Sequence, residues 1–75
     1  MPRPIHAIAK DIYAAWPTPH YGAKPYLEAM LRLTTIDSYY GQDTASSVVN
    51  YFLANANTFR GEQARTLKAE LKALL

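Results

Sequence analysis

Two histidines, three serines and six carboxylates are the side chains here with the chemistry for catalysis or metal binding. Their spacing does little with it. His6 and His20 have no second histidine or carboxylate at i+3 or i+4, the spacing that puts two metal ligands on one helical face. Asp11 follows His6 by five residues and falls on another face. Ser38, Ser46 or Ser47 could be paired on paper with either histidine and an aspartate, but nothing in the spacing selects one such triad. There is no cysteine, so no thiolate zinc site, cysteine nucleophile or disulfide. The three glycines are isolated and build no phosphate loop. We expect no enzyme, no metal and no cofactor.

Charge offers a second possibility. Arg60, Arg65, Lys68 and Lys72 lie near the C-terminal end, and the last three, at offsets of 3 and 7, share one face of a helix. Two helices joined by a short turn could imitate a helix-turn-helix, so a small nucleic-acid-binding regulator is the alternative reading. Against it, the formal net charge is only +2, and Glu62 and Glu70 interleave the cations. Dedicated nucleic-acid binders are more strongly basic. The plainer account is the solvated side of an amphipathic helix, with cations answering the dipole at its C-terminus.

Aromatic residues give the third. Trp16-Pro17-Thr18-Pro19-His20-Tyr21-Gly22-Ala23-Lys24-Pro25-Tyr26 combines three prolines with Trp16, Tyr21, Tyr26 and the imidazole of His20. Six tyrosines in 75 residues is high. Such rings either finish a small core through their apolar bodies or form a rigid, nearly uncharged contact surface. Trp16 belongs to the first class, because it continues an apolar stripe. His20, Tyr21, Tyr26 and Tyr39 are the candidate protein-interface residues, and Tyr39 and Tyr40 could lie beside Tyr51.

Four helical segments have to position these groups. Ile5, Ile8, Ala9, Ile12, Tyr13 and Trp16 follow offsets of 3, 4, 7, 8 and 11, which predicts a helix over 4–16, opened by Pro4 and ended by Pro17. Leu27, Met30, Leu31 and Thr34, with Leu33, Ile36 and Tyr40 beside them, predict a second over 24–40, weakened at Thr34-Thr35-Ile36 and closed by a left-handed Gly41. Ala45, Val48, Val49, Phe52, Leu53 and Ala56 repeat the first pattern over 44–57, with Asp43 as N-cap. Ala64, Leu67, Leu71 and Leu74 form a short seam in a fourth helix over 59–75. Thr58 is a candidate cap, and Gly61 argues either for close backbone approach or for a later start. The expectation is all-α: one compact domain of about four short helices.

Composition agrees. At 49% apolar and 19% charged, the chain is too hydrophobic for disorder, yet no apolar run reaches the roughly 20 residues that cross a bilayer. Lys10 and Asp11 interrupt what could be a secretory leader. We expect a cytoplasmic protein with no membrane partner. A domain this small, without staples or metal, relies on good helix packing or on a partner, which includes a second copy of itself.

The stretches YGAKPYLEAM and YFLANANTFRGEQARTLKAELKALL, with Tyr40-Gly41 and Asp43 between them, resemble a group of short proteins from actinobacterial phages, prophages and related mobile elements. The resemblance runs from about Asp11 to Leu75. It brings no assigned activity and no catalytic or binding residues. It implies an accessory protein acting inside an actinobacterial cell. The leading expectation is therefore a non-enzymatic helical interaction protein, phage-derived, that binds a host or phage protein or itself as inhibitor or adaptor.

Overall fold

The computed structural model describes residues 3–75, with only the backbone of Tyr40. Its helices are α1 (Ile5–Ala15), α2 (Lys24–Met30), α3 (Ala45–Ala54) and α4 (Glu62–Leu74). A hairpin of two-residue strands, β1 (Tyr39–Tyr40) and β2 (Asp43–Thr44), joins α2 to α3. The fold is an all-α bundle: α1 packs on α4 and on α2, and α2 packs on α3.

The apolar stripe of α1 accounts for its place. Ile5, Ile8, Ala9 and Ile12 are buried, while Tyr13 and Trp16 close the stripe half-buried against the same core. Pro4 caps this helix from an extended conformation instead of forming its first turn. The first amides of α1 still find acceptors: Ile5 and His6 donate from their backbone N–H to the carbonyls of Thr34 and Leu33, at 2.9 and 3.0 Å. At the other end Trp16 leaves the helix (φ −135°, ψ 70°), as a residue before proline must.

Those same carbonyls explain the largest departure from the expected elements. The second helix stops at Met30, ten residues short of the predicted Tyr40. Continuing it would spend the Leu33 and Thr34 carbonyls on helical bonds and leave the start of α1 without acceptors. The β-branched run 34–36 favours leaving the helix, and Thr35 N–H donates to Ser38 Oγ at 3.1 Å in a local turn. Leu33 and Ile36 keep their inward role from this irregular segment, Leu33 fully buried and Ile36 partly. Gly41 does adopt a left-handed conformation (φ +63°), but as the turn of the hairpin and not as a helix cap. The predicted core role of the Tyr40 side chain lies outside the described residues.

Helix α3 begins one residue later than Asp43 would place it. Thr44 is the cap, its Oγ1 accepting from Ser47 N–H at 3.1 Å, and Asp43 is instead paired with Tyr40 in the hairpin. Ala45, Val48, Val49, Phe52 and Ala56 are buried and Leu53 half-buried, as the offsets require. Asn55 ends the helix, its side-chain amide donating to Tyr51 O at 2.8 Å.

The fourth helix starts at Glu62 and not near residue 59, with Gly61 as its cap. Gly61 has φ +112° and ψ 177°, a region essentially restricted to glycine, while the space a Cβ would enter is open. Backbone strain alone therefore sets the expected loss in Gly61→Ala, about 1–3 kcal/mol of unfolding free energy. Chemical denaturation checks it. Ala64, Leu67 and Leu71 bury the helix's apolar side. Across the α1–α4 seam, Arg3 clamps Glu70 in a bidentate pair (3.0 and 2.6 Å) and reaches Asp11 at 2.6 Å. This triad is partly exposed, so screening keeps its contribution modest and salt-dependent.

Candidate functional site

The candidate interface is built on the seam between α2 and the second half of α3. Pro25, in the first turn of α2, fixes the start of a helix that carries Tyr26 over α3. There Tyr26 stacks on Tyr51, with ring centroids 5.4 Å apart and planes 26° off parallel. Tyr26 is half-buried, whereas Tyr51 keeps 55% of its surface exposed. One turn beyond Tyr51, Asn55 meets the proline loop. A Cβ placed on Gly22 would stand 3.0 Å from Asn55 Oδ1, so the loop lies directly against the end of α3.

That loop holds its own shape. Gly22 N–H donates to His20 Nδ1 at 3.1 Å, which leaves Nε2 as the ring nitrogen free to face a partner. Backbone N–H groups of Ala23 and Lys24 both donate to His20 O, at 2.8 and 3.0 Å. The His20 ring lies 4.6 Å from that of Tyr21, and Tyr21 is 84% exposed. Alongside, His20, Ala54, Asn55, Asn57 and Thr58 line a shallow pocket of about 220 Å³. The arrangement can offer flat apolar faces with polar edges.

Of the four interface candidates, His20 lies beside Tyr21 in the proline loop and Tyr26 stacks on Tyr51, with Asn55 between loop and helix. Tyr39 belongs to neither pair. It is 69% exposed, but it pairs in the hairpin with Thr44, the cap of α3. At about 1.5 Å per residue, Thr44 lies roughly 10 Å along the helix from Tyr51 and roughly 16 Å from Asn55. The Tyr40 side chain lies outside the described residues, and Tyr51 stacks on Tyr26. One signal could have found it. Tyr51 interrupts the polar side of α3, off the apolar stripe, where an aromatic ring has no core to enter.

Trp16, the other ring of the proline stretch, goes inward. It stacks on Phe59 at 5.0 Å, 8° from parallel, and meets Phe52 edge-on at 6.5 Å and 68°. Phe59 itself is buried, in the connector between α3 and α4, with no periodicity to announce it.

The alternative nucleic-acid residues are partly gathered. Arg60, Arg65 and Lys68 surround a second pocket with Phe59 and Gly61. Lys72 is exposed one turn further along α4. Among the described residues no group of three His, Cys, Asp or Glu side chains is placed to hold a metal ion, and no helix is long and apolar enough to cross a membrane.

No protein family, curated protein or solved structure matches the chain.

Proposed function

We propose that this protein is a non-enzymatic interaction module that docks on another protein through the aromatic seam of His20, Tyr21, Tyr26 and Tyr51, with Tyr39 a separate contact at the far end of α3. One observation carries the reading. Tyr51 and Tyr21 stay 55% and 84% exposed, Tyr51 stacked on Tyr26 and Tyr21 beside the His20 ring. Rings fixed before binding lose little freedom on contact, which is how preorganised surfaces convert apolar area into affinity. Lys24 is the one formal charge between His20 and Tyr26, and centres of protein interfaces are depleted in charge and rich in tyrosine. The resemblance to actinobacterial phage proteins makes a host or phage protein inside such a cell the proposed partner, with occlusion or adaptation as its effect.

The test is affinity capture from actinobacterial lysate, with and without nuclease, followed by sedimentation of the isolated pair. Tyr21→Ser should weaken the recovered complex by about 2 kcal/mol or more, roughly thirtyfold in Kd, the size of an interface hot spot. Its thermal melt should match the parent within error. Tyr39→Ser, off the seam, should weaken binding less. A variant that loses binding only because it unfolds would put Tyr21 in the core and remove the proposal.

A further inference from the structure

Arg60, Arg65 and Lys68 converge on one concavity of about 280 Å³ at the start of α4, floored by the buried Phe59 and bounded by Gly61. This volume is at the bottom of the range for organic ligands, which begins near 300 Å³. Every charged residue lining it is a cation.

Carboxylates that might neutralise them are turned elsewhere. Glu62 and Glu70 line a different pocket, with Arg3 and Asp11 on the α1 side of α4. Among the described residues the ion pairs are those of Arg3, so no carboxylate approaches Arg60, Arg65 or Lys68 within pairing distance. Charge on α4 is thus segregated: Glu62 and Glu70 line the α1 side, while Arg65 and Lys68 line the other pocket. What sequence reading took for interleaved charges separates in space.

Two of the three cations are held in place. Lys68 Nζ donates to Ala56 O at 2.6 Å and lies 5.7 Å from the centroid of the Phe59 ring. Arg60 Nε donates to Asn57 O at 3.0 Å. Burial, then the nearby Lys72 and Arg60, push the Lys68 ammonium below its ordinary value. An anion seated there would offset both the burial and the neighbouring like charges.

We propose that this pocket binds a phosphate group, held by Arg60, Arg65 and Lys68. Phe59 is covered, so no exposed ring awaits a base. Recognition is of the phosphate and is independent of sequence. Lys72 extends the same face for a second phosphate along a nucleic-acid backbone. The inference uses different residues from the aromatic seam and stands whether or not that seam is a docking surface.

Amide chemical shifts of the intact protein, titrated with inorganic phosphate against chloride at constant ionic strength, test the site. A labelled DNA duplex followed by fluorescence anisotropy over a range of salt tests the polymer. Phosphate should move the resonances of residues 59–65, and Arg65→Gln should weaken that effect about tenfold, the size expected for one charge-assisted contact. Lys68→Met is the second variant, with its fold checked by circular dichroism. A duplex should bind with a log–log salt slope of about −2, from one phosphate in the pocket and one at Lys72, and more weakly in Arg65→Gln. Phosphate binding without duplex binding supports the site and makes a free or small-molecule phosphate its ligand. Absence of any phosphate-specific shift, or a shift that persists in both variants, overturns the proposal.

Discussion

Phe52→Ala is expected to remove about 3–5 kcal/mol of unfolding free energy, the range for truncating a fully buried phenylalanine. Phe52 is completely buried and is the largest such side chain in the core. Its ring takes the edge contact of Trp16 from the end of α1, while its own helix packs on α2. Deleting it therefore opens a void beside Trp16 in the core of the bundle. Chains of this length hold about 4–11 kcal/mol in total, at 0.05–0.15 kcal/mol per residue, so the variant sits near the edge of folding. At about 4–8 °C per kcal/mol, its Tm should fall by roughly 12–40 °C. Urea denaturation should show the midpoint lowered with the slope kept, the mark of lost stability without a changed unfolded state. Phe52→Leu, which keeps most of the volume, should lose under about 1.5 kcal/mol, as volume-conserving exchanges do. A loss below 1 kcal/mol in the alanine variant would mean that the void is filled by collapse, and that the helices are not fixed by this ring.

Such dependence on single side chains follows from how the pattern was written. The stripes of α1 and α3 were legible because each is a local periodic signal: the offsets that place Ile5, Ile8 and Ile12 on one face bury them there, and Val48, Val49 and Phe52 repeat the case. The end of α2 was not legible. Leu33 and Ile36 extend an apolar spacing that suits a helix, but the carbonyls of Leu33 and Thr34 are engaged by the start of α1, nearly thirty residues upstream. Sequence periodicity carries no trace of such a bond. The site divides the same way. His20 and Tyr21 are exposed in a proline loop, as their setting implies, whereas the Tyr26–Tyr51 stack depends on how α2 crosses α3. Tyr39 shares only its residue type with that group. At the basic pocket, the face of Arg65, Lys68 and Lys72 was visible from spacing. The arrival of Arg60 and the turning away of Glu62 and Glu70 were not, because both depend on the late start of α4 at Glu62 and its packing on α1.

Trp16→Ala should produce the second largest effect, and it separates the two halves of the proline stretch. A fully buried tryptophan truncated to alanine costs about 3–5 kcal/mol; with Trp16 half-buried, the lower end of about 3 kcal/mol is expected. Part of this is area and part is geometry. The parallel stack on Phe59 at 5.0 Å should appear as a coupling of about 0.5–1.5 kcal/mol in a double-mutant cycle of Trp16→Ala with Phe59→Leu. Phe59 also floors the cationic pocket, so releasing it from Trp16 should loosen the ring beneath Lys68. Phosphate-induced shifts should then weaken in Trp16→Ala while the variant is still folded at low temperature, and Tyr21→Ser should leave them intact. Five residues apart in the chain, one aromatic would act through the core and the other through the surface. Equal losses of stability in the two variants would break that division, and with it the assignment of Tyr21 to a surface built for contact.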